Sequence, residues 1–217
     1  MKKIFKLVSV AMIATMTMGV LVGCGSSSNS ASSSKKTTSK KIGMVVSTLN
    51  NPFFVTLKEG AEAKAKALGY ELLVVDSQND SSKELSNVQD LLQKGVSAII
   101  LNPVDSDAAQ SSVMEANNEK IPVITVDRKS NGGTVICHIA SDNVKGGEMA
   151  GKFIKEQLGG KGNIAELQGT TGASATRDRG KGFHNIVDVD KNLKVVSSQP
   201  ADFDRQKGLK IGRASCR

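Results

Sequence analysis

The sequence predicts an α/β protein in which parallel strands form doubly wound sheets. From residue 42 onward, short apolar runs alternate with longer segments whose apolar residues recur every three or four positions. Several runs are apolar without interruption, which is typical of strands buried on both faces of a sheet. Glycine follows several helical segments at the position where a helix ends. We therefore expect helices on both faces of each sheet.

The first half of this segment predicts four strands and three helices. The apolar runs that predict strands are residues 42–46, 72–75, 98–101 and 123–126. The apolar stripes that predict helices are Phe54, Leu57, Ala61, Ala65 and Leu68, then Leu85, Val88 and Leu92, and then Ala109, Val113 and Ala116. Gly69 and Gly95 follow the first two stripes, where they are expected to end the helices.

The second half continues the alternation. Predicted strands cover Thr134–Ala140, Asn163–Leu167 and Leu193–Ser197, a helix covers Val144–Leu158, and a further helix carries the apolar residues Phe183, Ile186 and Val187. We expect Cys137 to be a buried, inert thiol in its strand. We expect Phe153 and Phe183 to lie on core-facing sides of their helices.

The amino terminus predicts secretion and lipid modification. Residues 1–23 combine a basic start with an apolar stretch that is too short to span a membrane, as a signal peptide does. The sequence Leu21-Val22-Gly23-Cys24 resembles a bacterial lipobox, which predicts a lipid on Cys24; the alternative is an ordinary signal peptide with a chance cysteine. The Ser-rich residues 24–41 then form a flexible linker, so the domain is anchored at the extracytoplasmic face of the cell membrane.

The basic net charge of +8 belongs to the ends of the chain. Nine of the 29 basic residues lie in the first 41 residues or the last five, so 20 remain beside all 21 acidic residues between residues 42 and 210. A nucleic-acid-binding domain gathers basic residues on its folded part. The distribution therefore argues against nucleic acid as a partner.

Two other classes of protein fit the sequence poorly. An enzyme is disfavoured because the chain lacks phosphate-loop, dinucleotide and nucleophile-elbow motifs, and because His138 and His184 lie in a strand and a helix, where we expect structural roles. No cysteine spacing predicts a metal site or a disulfide framework, and no cofactor is expected. A sugar-responsive repressor would need a DNA-binding headpiece where the predicted signal peptide lies.

Chemically unusual loops follow several predicted strands. Phe53, Phe54 and Phe203 lie in or beside these loops, together with the polar pair Asp127 and Arg128. Aromatic rings can cover the apolar faces of a sugar, while amide, carboxylate and guanidinium groups bond its hydroxyls. The alternative is that Phe54 packs inward at the start of a helix and that Asp127-Arg128 is a solvated strand end.

Longer motifs resemble bacterial ribose-binding proteins. The similarity covers residues 42–209 and rests on these segments: Val45-Val46-Ser47-Thr48-Leu49-Asn50-Asn51-Pro52-Phe53-Phe54, Asp76-Ser77-Gln78-Asn79, residues 83–91, Asn102-Pro103-Val104-Asp105-Ser106-Asp107, His138-Ile139-Ala140-Ser141-Asp142-Asn143 and Gln199-Pro200-Ala201-Asp202-Phe203-Asp204-Arg205. The resemblance implies a two-lobed clamp that captures D-ribose for an ABC importer and, in some members, serves a chemotaxis receptor. A receptor for another sugar, such as allose, galactose or a furanose signal molecule, is the alternative.

The resemblance also implies which residues bind the sugar. The expected ligand-binding residues are Asn51, Phe53, Phe54, Asn102, Asp127, Arg128, Arg179 and Phe203. Ser141 lies at the first crossing between lobes, as a hinge residue does. The expected protein is a monomer that docks on a membrane permease.

The resemblance further implies where the lobes lie. The N-terminal lobe covers residues 42–140, and residues 141–209 form a C-terminal lobe that is incomplete, because family members continue past this point. Residues 210–217 do not resemble the family, and we interpret them as a non-native tail.

Overall fold

Five parallel strands form the larger of two sheets in the structure, a computed structural model that describes residues 40–215. The strands are β1 (Lys41–Val46), β2 (Glu71–Asp76), β3 (Ile99–Leu101), β4 (Val123–Val126) and β5 (Cys137–Ile139). Their order is β2-β1-β3-β4-β5, and every neighbouring pair is parallel. The parallel α/β fold class that the sequence predicted is therefore confirmed.

The second sheet and the helices complete the described residues. Strands β6 (Gly162–Gln168) and β7 (Leu193–Pro200) pair in parallel. The helices are α1 (Pro52–Ala67), α2 (Ser81–Gln93), α3 (Ala109–Asn118), α4 (Asn143–Gln157), α5 (Ser174–Val187) and α6 (Arg205–Ser215). None of these helices is long and apolar enough to cross a membrane. The predicted signal peptide, the lipid site at Cys24 and the linker up to residue 39 lie outside the described residues.

The strand order places a topological switch point between β1 and β3. The chain leaves β1 towards β2 on one side and later returns to β3 on the other, so the loops after β1 and β3 diverge. Hydrogen bonds tie these loops together, because Asn102 Oδ1 accepts from Ser47 N at 3.1 Å and from Ser47 Oγ at 2.7 Å. Crevices at such points, beyond the carboxyl ends of strands, are where α/β sheets bind ligands.

Local sequence explains where the helices begin and end. Asn51 is the N-cap of α1 and accepts a hydrogen bond from Phe53 N, with Pro52 at the first helical position. Gly69 and Gly95 adopt φ values of +73° and +71° after the first two helices. These left-handed conformations favour glycine, which confirms both predicted helix ends.

Apolar side chains form one core for each sheet. The larger core lies between the first sheet and helices α2 and α3, and its buried members are Val45, Val88, Leu91, Val96, Ile99, Leu101, Ala109, Val113, Ala116 and Val123. The smaller core is built from Ile164, Val187 and Leu193. Phe183 packs against it, as predicted from the helical spacing.

Strand β5 is shorter and more exposed than predicted. It covers Cys137–Ile139 instead of Thr134–Ala140, and all three of its residues are exposed. The prediction that Cys137 is buried is wrong. The physical reason is position, since β5 is an edge strand that pairs only with β4 among the described residues.

Helices α4 and α5 pack closely because glycines lie at their crossing. A Cβ added at Gly147 would lie 2.0 Å from the Arg179 carbonyl oxygen, and one added at Gly182 would lie 1.9 Å from the Val144 carbonyl oxygen. Because α4 turns this glycine face towards α5, Phe153 lies on its other side and is 61% exposed. The prediction that Phe153 faces the core is therefore wrong.

One carboxyl group is buried in the larger core. Glu84 of α2 is 1% exposed; its Oε2 accepts from Val104 N at 2.6 Å and its Oε1 accepts from Ser112 Oγ at 3.1 Å. Burial raises the pKa of Glu84 to about 7. The two hydrogen bonds and the charge of Arg128 lower this pKa, whereas the charge of Asp105 raises it further. The predicted apolar stripe of α2 did not include this position.

The helix crossing predicts opposite effects of alanine at two neighbouring glycines. Gly147→Ala should lower the free energy of unfolding by about 1–3 kcal/mol, because the methyl group meets a backbone carbonyl that cannot rotate away. Gly146→Ala is the control, since nothing lies near its added Cβ, and it should raise the free energy by about 0.5–1 kcal/mol. Urea unfolding measures both, and equal effects would contradict the close crossing.

Glu84 predicts a pH dependence of stability. Its pKa of about 7 in the fold exceeds the ordinary value of 4.5, so between these values the folded chain holds the proton more tightly than the unfolded chain. The contribution of Glu84 to the free energy of unfolding should therefore fall, by up to about 3 kcal/mol, as pH rises from 4.5 to 8. Glu84→Gln should remove this slope in urea unfolding, whereas Asp90→Asn, an exposed change on the same helix, should retain it. Parallel slopes for wild type and Glu84→Gln would refute the assignment.

Candidate functional site

A cavity of about 520 Å³ lies where loops from both sheets meet. Its wall includes residues that follow β1, β4, β6 and β7, all at the carboxyl ends of strands. Five of the predicted ligand-binding residues line it: Asn51, Phe53, Phe54, Arg128 and Phe203. The topology thus brings together side chains that are more than 150 positions apart in the sequence.

The start of α1 supplies two aromatic rings. Phe53 is 55% exposed and Phe54 is buried, and their ring centroids lie 5.2 Å apart in an edge-on arrangement. The α1 N-cap holds the backbone that carries both rings, since Asn51 Oδ1 accepts from Phe53 N at 3.0 Å. Phe54 is buried, as the alternative that it packs inward predicted. It also lines the cavity, so its position is compatible with the predicted ligand site as well.

Arg128 is a buried cation at the centre of the site. It is 2% exposed, and its Nη1 donates to Pro103 O at 3.1 Å and to Val104 O at 3.2 Å. Its guanidinium lies 5.2 Å from the ring centroid of Phe54 and 5.9 Å from that of Phe203. Its Nε is buried without a hydrogen-bond partner. The alternative that Asp127-Arg128 is a solvated strand end does not hold for Arg128.

Asp127 stands beside Arg128 in a strained turn. Its Oδ2 lies 3.7 Å from Arg128 Nε, and its φ of +62° is uncommon for a residue other than glycine. Burial raises the pKa of Asp127, against the opposing effects of Arg128, Arg179, His138 and Asn102. The carboxylate is therefore incompletely compensated for its loss of water, and a hydroxyl donor at this position would stabilise it.

The loop after β7 contributes the ring that faces Arg128 from the second sheet. Phe203 is 41% exposed and adopts a φ of +57°, next to Asp202 with a φ of +53°. A bulky residue in this region is strained, and such conformations concentrate at functional sites. Gly169 makes room for the ring, because a Cβ there would lie 2.1 Å from Phe203 Cζ.

Arg179 lies next to this ring on α5. Its Nε donates to Asn143 Oδ1 at 2.8 Å, and its guanidinium lies 6.0 Å from the ring centroid of Phe203. The glycine crossing of α4 and α5 sets its backbone position, because Gly147 packs on its carbonyl. Arg179 lines a second cavity of about 620 Å³ along α4, α5 and β6, which has Phe203 in common with the first.

Asn102 does not lie on the cavity rim, where we expected it. It is fully buried, and its amide is occupied: Oδ1 accepts twice from Ser47, and Nδ2 donates to Val126 O at 3.1 Å. The side chain thus ties together the ends of β1, β3 and β4 behind the cavity wall. The sequence motif alone does not show whether Asn102 connects strand ends in this way or contacts a ligand.

A set of hydrogen bonds connects the loops of the larger sheet to the start of α5. Ser106 N donates to Gly172 O at 2.9 Å, and Ser174 N donates to Ser106 Oγ at 3.1 Å. Ser174 Oγ in turn accepts from Lys129 N at 2.9 Å. Both serines are buried, so these bonds are shielded from water. Ser106 belongs to the motif at residues 102–107, but nothing in the pattern indicated this role.

The remaining predicted residues lie away from the cavity wall. Ser141 is exposed in the link between β5 and α4. His138 contacts Thr125 Oγ1 at 2.9 Å, and His184 contacts Glu166 and Asp188 on the surface of the second sheet. Within residues 40–215, no cluster of three or more His, Cys, Asp or Glu residues is placed to hold a metal ion.

Several curated proteins are similar to this chain over most of its length. The chain is 50% identical over 206 residues to the ribose import binding protein RbsB of Bacillus subtilis (strain 168), covering 94% of this chain and 67% of that relative. It is also 50% identical over 199 residues to the protein of the same name from Escherichia coli (strain K12), covering 92% of this chain and 65% of that relative. The chain thus spans about two thirds of the length of these relatives.

Solved structures and a family model agree with this similarity. A crystal structure of Caulobacter myo-inositol binding protein bound to myo-inositol has a TM-score of 0.78 and 28% identity, covering 81% of this chain and 60% of that one. The family model described as periplasmic binding protein domain matches residues 42–214, which include most of the predicted tail. The chain therefore belongs to the periplasmic binding protein domain family.

Proposed function

We propose that the protein containing this chain captures D-ribose outside the cytoplasm and delivers it to an ABC importer. The observation that carries the proposal is the cavity where Phe54, Arg128 and Phe203 meet at the carboxyl ends of strands from both sheets. Proteins of this family bind solutes for transport and are not enzymes. Within this proposal, residues 42–140 and 141–209 are the two lobes, and Ser141 belongs to the hinge.

The chemistry of the cavity suits a monosaccharide. Its volume of about 520 Å³ falls in the range of small-molecule sites. Phenyl rings bury the C–H faces of the sugar, and Arg128 Nε is a buried donor that makes no hydrogen bond within the protein. Asp127 does not line the cavity, but its carboxylate adjoins the lining residue Arg128. In this proposal it accepts from a sugar hydroxyl, which relieves the cost of burying the carboxylate. In this assignment, Asn51, Phe53 and Arg179 complete the contacts, while Asn102 supports the site from behind.

Ribose is the preferred assignment among sugars. The relatives at 50% identity are named for ribose import, whereas the myo-inositol binding protein is only 28% identical. The alternative within the same class is a receptor for another sugar, such as allose, galactose or a furanose signal molecule. A few pocket contacts decide such preferences.

Binding is coupled to closure of the lobes. Arg128 follows β4, whereas Phe203 follows β7, so a sugar between them contacts both lobes only when they are closed. The hydrogen bonds of Ser106 with Gly172 and Ser174 add contacts to the same closed form. Ligand binding then shifts the population towards that form, which a membrane permease recognises.

The remaining parts of the proposal concern location and partners. The lipobox-like sequence at Cys24 supports a lipid anchor at the outer face of the cell membrane, although this segment lies outside the described residues. The protein acts as a monomer, and a chemotaxis receptor is a further partner in this proposal. The non-native origin of residues 210–217 stays a prediction.

A thermal-shift and calorimetry series tests the proposed function on the whole protein that contains this chain. Ribose should raise the melting temperature more than allose, galactose or myo-inositol. Asp127→Asn keeps the shape of the side chain and tolerates its left-handed backbone, so it should remain folded but lose roughly tenfold or more in ribose affinity, as expected for a hydrogen bond to a charged group.

Glu119→Gln is the matched control, because it removes one negative charge from the exposed C-cap position of α3. It should bind ribose as the wild type does. A larger shift with another sugar would overturn the ribose assignment and leave the class intact. Unchanged affinity for every sugar in Asp127→Asn would overturn the site.

A further inference from the structure

A buried carboxyl group lies directly behind the site without touching the cavity. Glu84 is in the first turns of α2, and both of its oxygens bond other elements: Oε2 accepts from Val104 N in the loop after β3, and Oε1 accepts from Ser112 Oγ on α3. Burial of a carboxyl group costs free energy that hydrogen bonds must offset, whereas an apolar residue at the same position would not carry this cost. The contacts of Glu84 indicate what the carboxyl group does there.

A single peptide group connects Glu84 to Arg128. The N–H of the Pro103–Val104 peptide donates to Glu84 Oε2 at 2.6 Å, and the C=O of the same peptide accepts from Arg128 Nη1 at 3.1 Å. The acidic group thus lies at the positive end of this peptide dipole, and the basic group lies at its negative end. Each bond polarises the peptide in the direction that strengthens the other.

Apart from its hydrogen bond to Pro103 O, few contacts fix the direction of the Arg128 guanidinium. Its Nη1 bonds only the carbonyls of Pro103 and Val104, its Nε has no hydrogen-bond partner, and Asp127 Oδ2 is 3.7 Å away. The rings of Phe54 and Phe203 limit its position but do not donate or accept hydrogen bonds. The direction of the Arg128 guanidinium therefore depends on where the Pro103–Val104 peptide is held.

We propose that Glu84 is a positioning residue for sugar binding, which holds the Pro103–Val104 peptide so that Arg128 presents its donors to the ligand. The inference rests on the proposed function, and it assigns to Glu84 a role that acts only through Arg128. Two charged groups on the elements packed around Glu84 act on it electrostatically. They are Asp105, in the loop after β3, and Arg128. The neutral carboxyl group still accepts from Val104 N through its carbonyl oxygen, so the peptide is held in both protonation states.

This chemistry distinguishes three substitutions at one position. Glu84→Gln retains an acceptor for Val104 N and a group that can donate to Ser112 Oγ, so its ribose affinity should stay within about threefold of the wild type. Glu84→Leu removes the acceptor, and Glu84→Asp withdraws it by one methylene group. Both should lose about tenfold or more, as other supporting residues of binding sites do. Ser112→Ala is the control, since it breaks the other hydrogen bond of Glu84 and should leave affinity unchanged.

A double-mutant cycle by titration calorimetry on the whole protein separates positioning from a general structural role. Arg128→Lys should weaken binding by itself, and Glu84→Leu should add almost nothing in that background, because the affected contact is already lost. Additive losses, or wild-type affinity in both Glu84→Leu and Glu84→Asp, would overturn the proposal. If Glu84→Leu does not fold, Glu84→Asp takes its place in the cycle.

A second readout does not depend on sugar. The Arg128 Nε–H resonance in a ¹H–¹⁵N spectrum should have the same position in wild type and Glu84→Gln, and should shift or broaden in Glu84→Asp. An unchanged resonance in Glu84→Asp overturns the positioning role, even if ribose binds. A wild-type protein that binds no sugar overturns the proposed function, while this spectrum still decides whether Glu84 positions Arg128.

Discussion

The arrangement of the site depends on one buried cation. Taking a charged group out of water costs roughly several kcal/mol, so Arg128 can stay buried only if its surroundings compensate that cost. Two carbonyl oxygens, the faces of two aromatic rings and the nearby carboxylates of Asp127 and Glu84 supply this compensation. Burial still lowers the pKa of Arg128, which indicates that the compensation is incomplete. An additional acceptor from a ligand would therefore be favourable at this position.

The fold explains how residues so far apart in the sequence surround this cation. Parallel strands deliver Asp127-Arg128 and the loop carrying Pro103 to the same edge of the larger sheet. The second sheet delivers Phe203 through a backbone conformation that a bulky residue adopts only under strain. The close glycine crossing of α4 and α5 fixes Arg179 beside that ring. Each of these features positions a side chain at the site.

Local patterns in the sequence predicted much of the fold, and the family resemblance supplied the candidate site residues. Uninterrupted apolar runs identified the parallel strands, and Gly69 and Gly95 marked the ends of helices, because both signals depend on nearby residues alone. Five of the predicted ligand-binding residues line one cavity, since post-strand loops converge in a parallel sheet. Exposure of Cys137 and Phe153 was missed because it depends on which neighbours cover a strand edge or a helix face. Glu84 and Asn102 were missed as supports, because buried polar roles are set by tertiary hydrogen bonds that no spacing reveals.

A crystal structure of the whole protein with ribose tests the central claim most directly. The account predicts one sugar in the cavity bounded by Phe54 and Phe203, with a hydroxyl oxygen within hydrogen-bond distance of Arg128 Nε and another hydroxyl donating to Asp127. A sugar bound elsewhere, for example in the cavity along α4, α5 and β6, would contradict it. So would a bound sugar with the Arg128 side chain turned away from the Pro103–Val104 peptide.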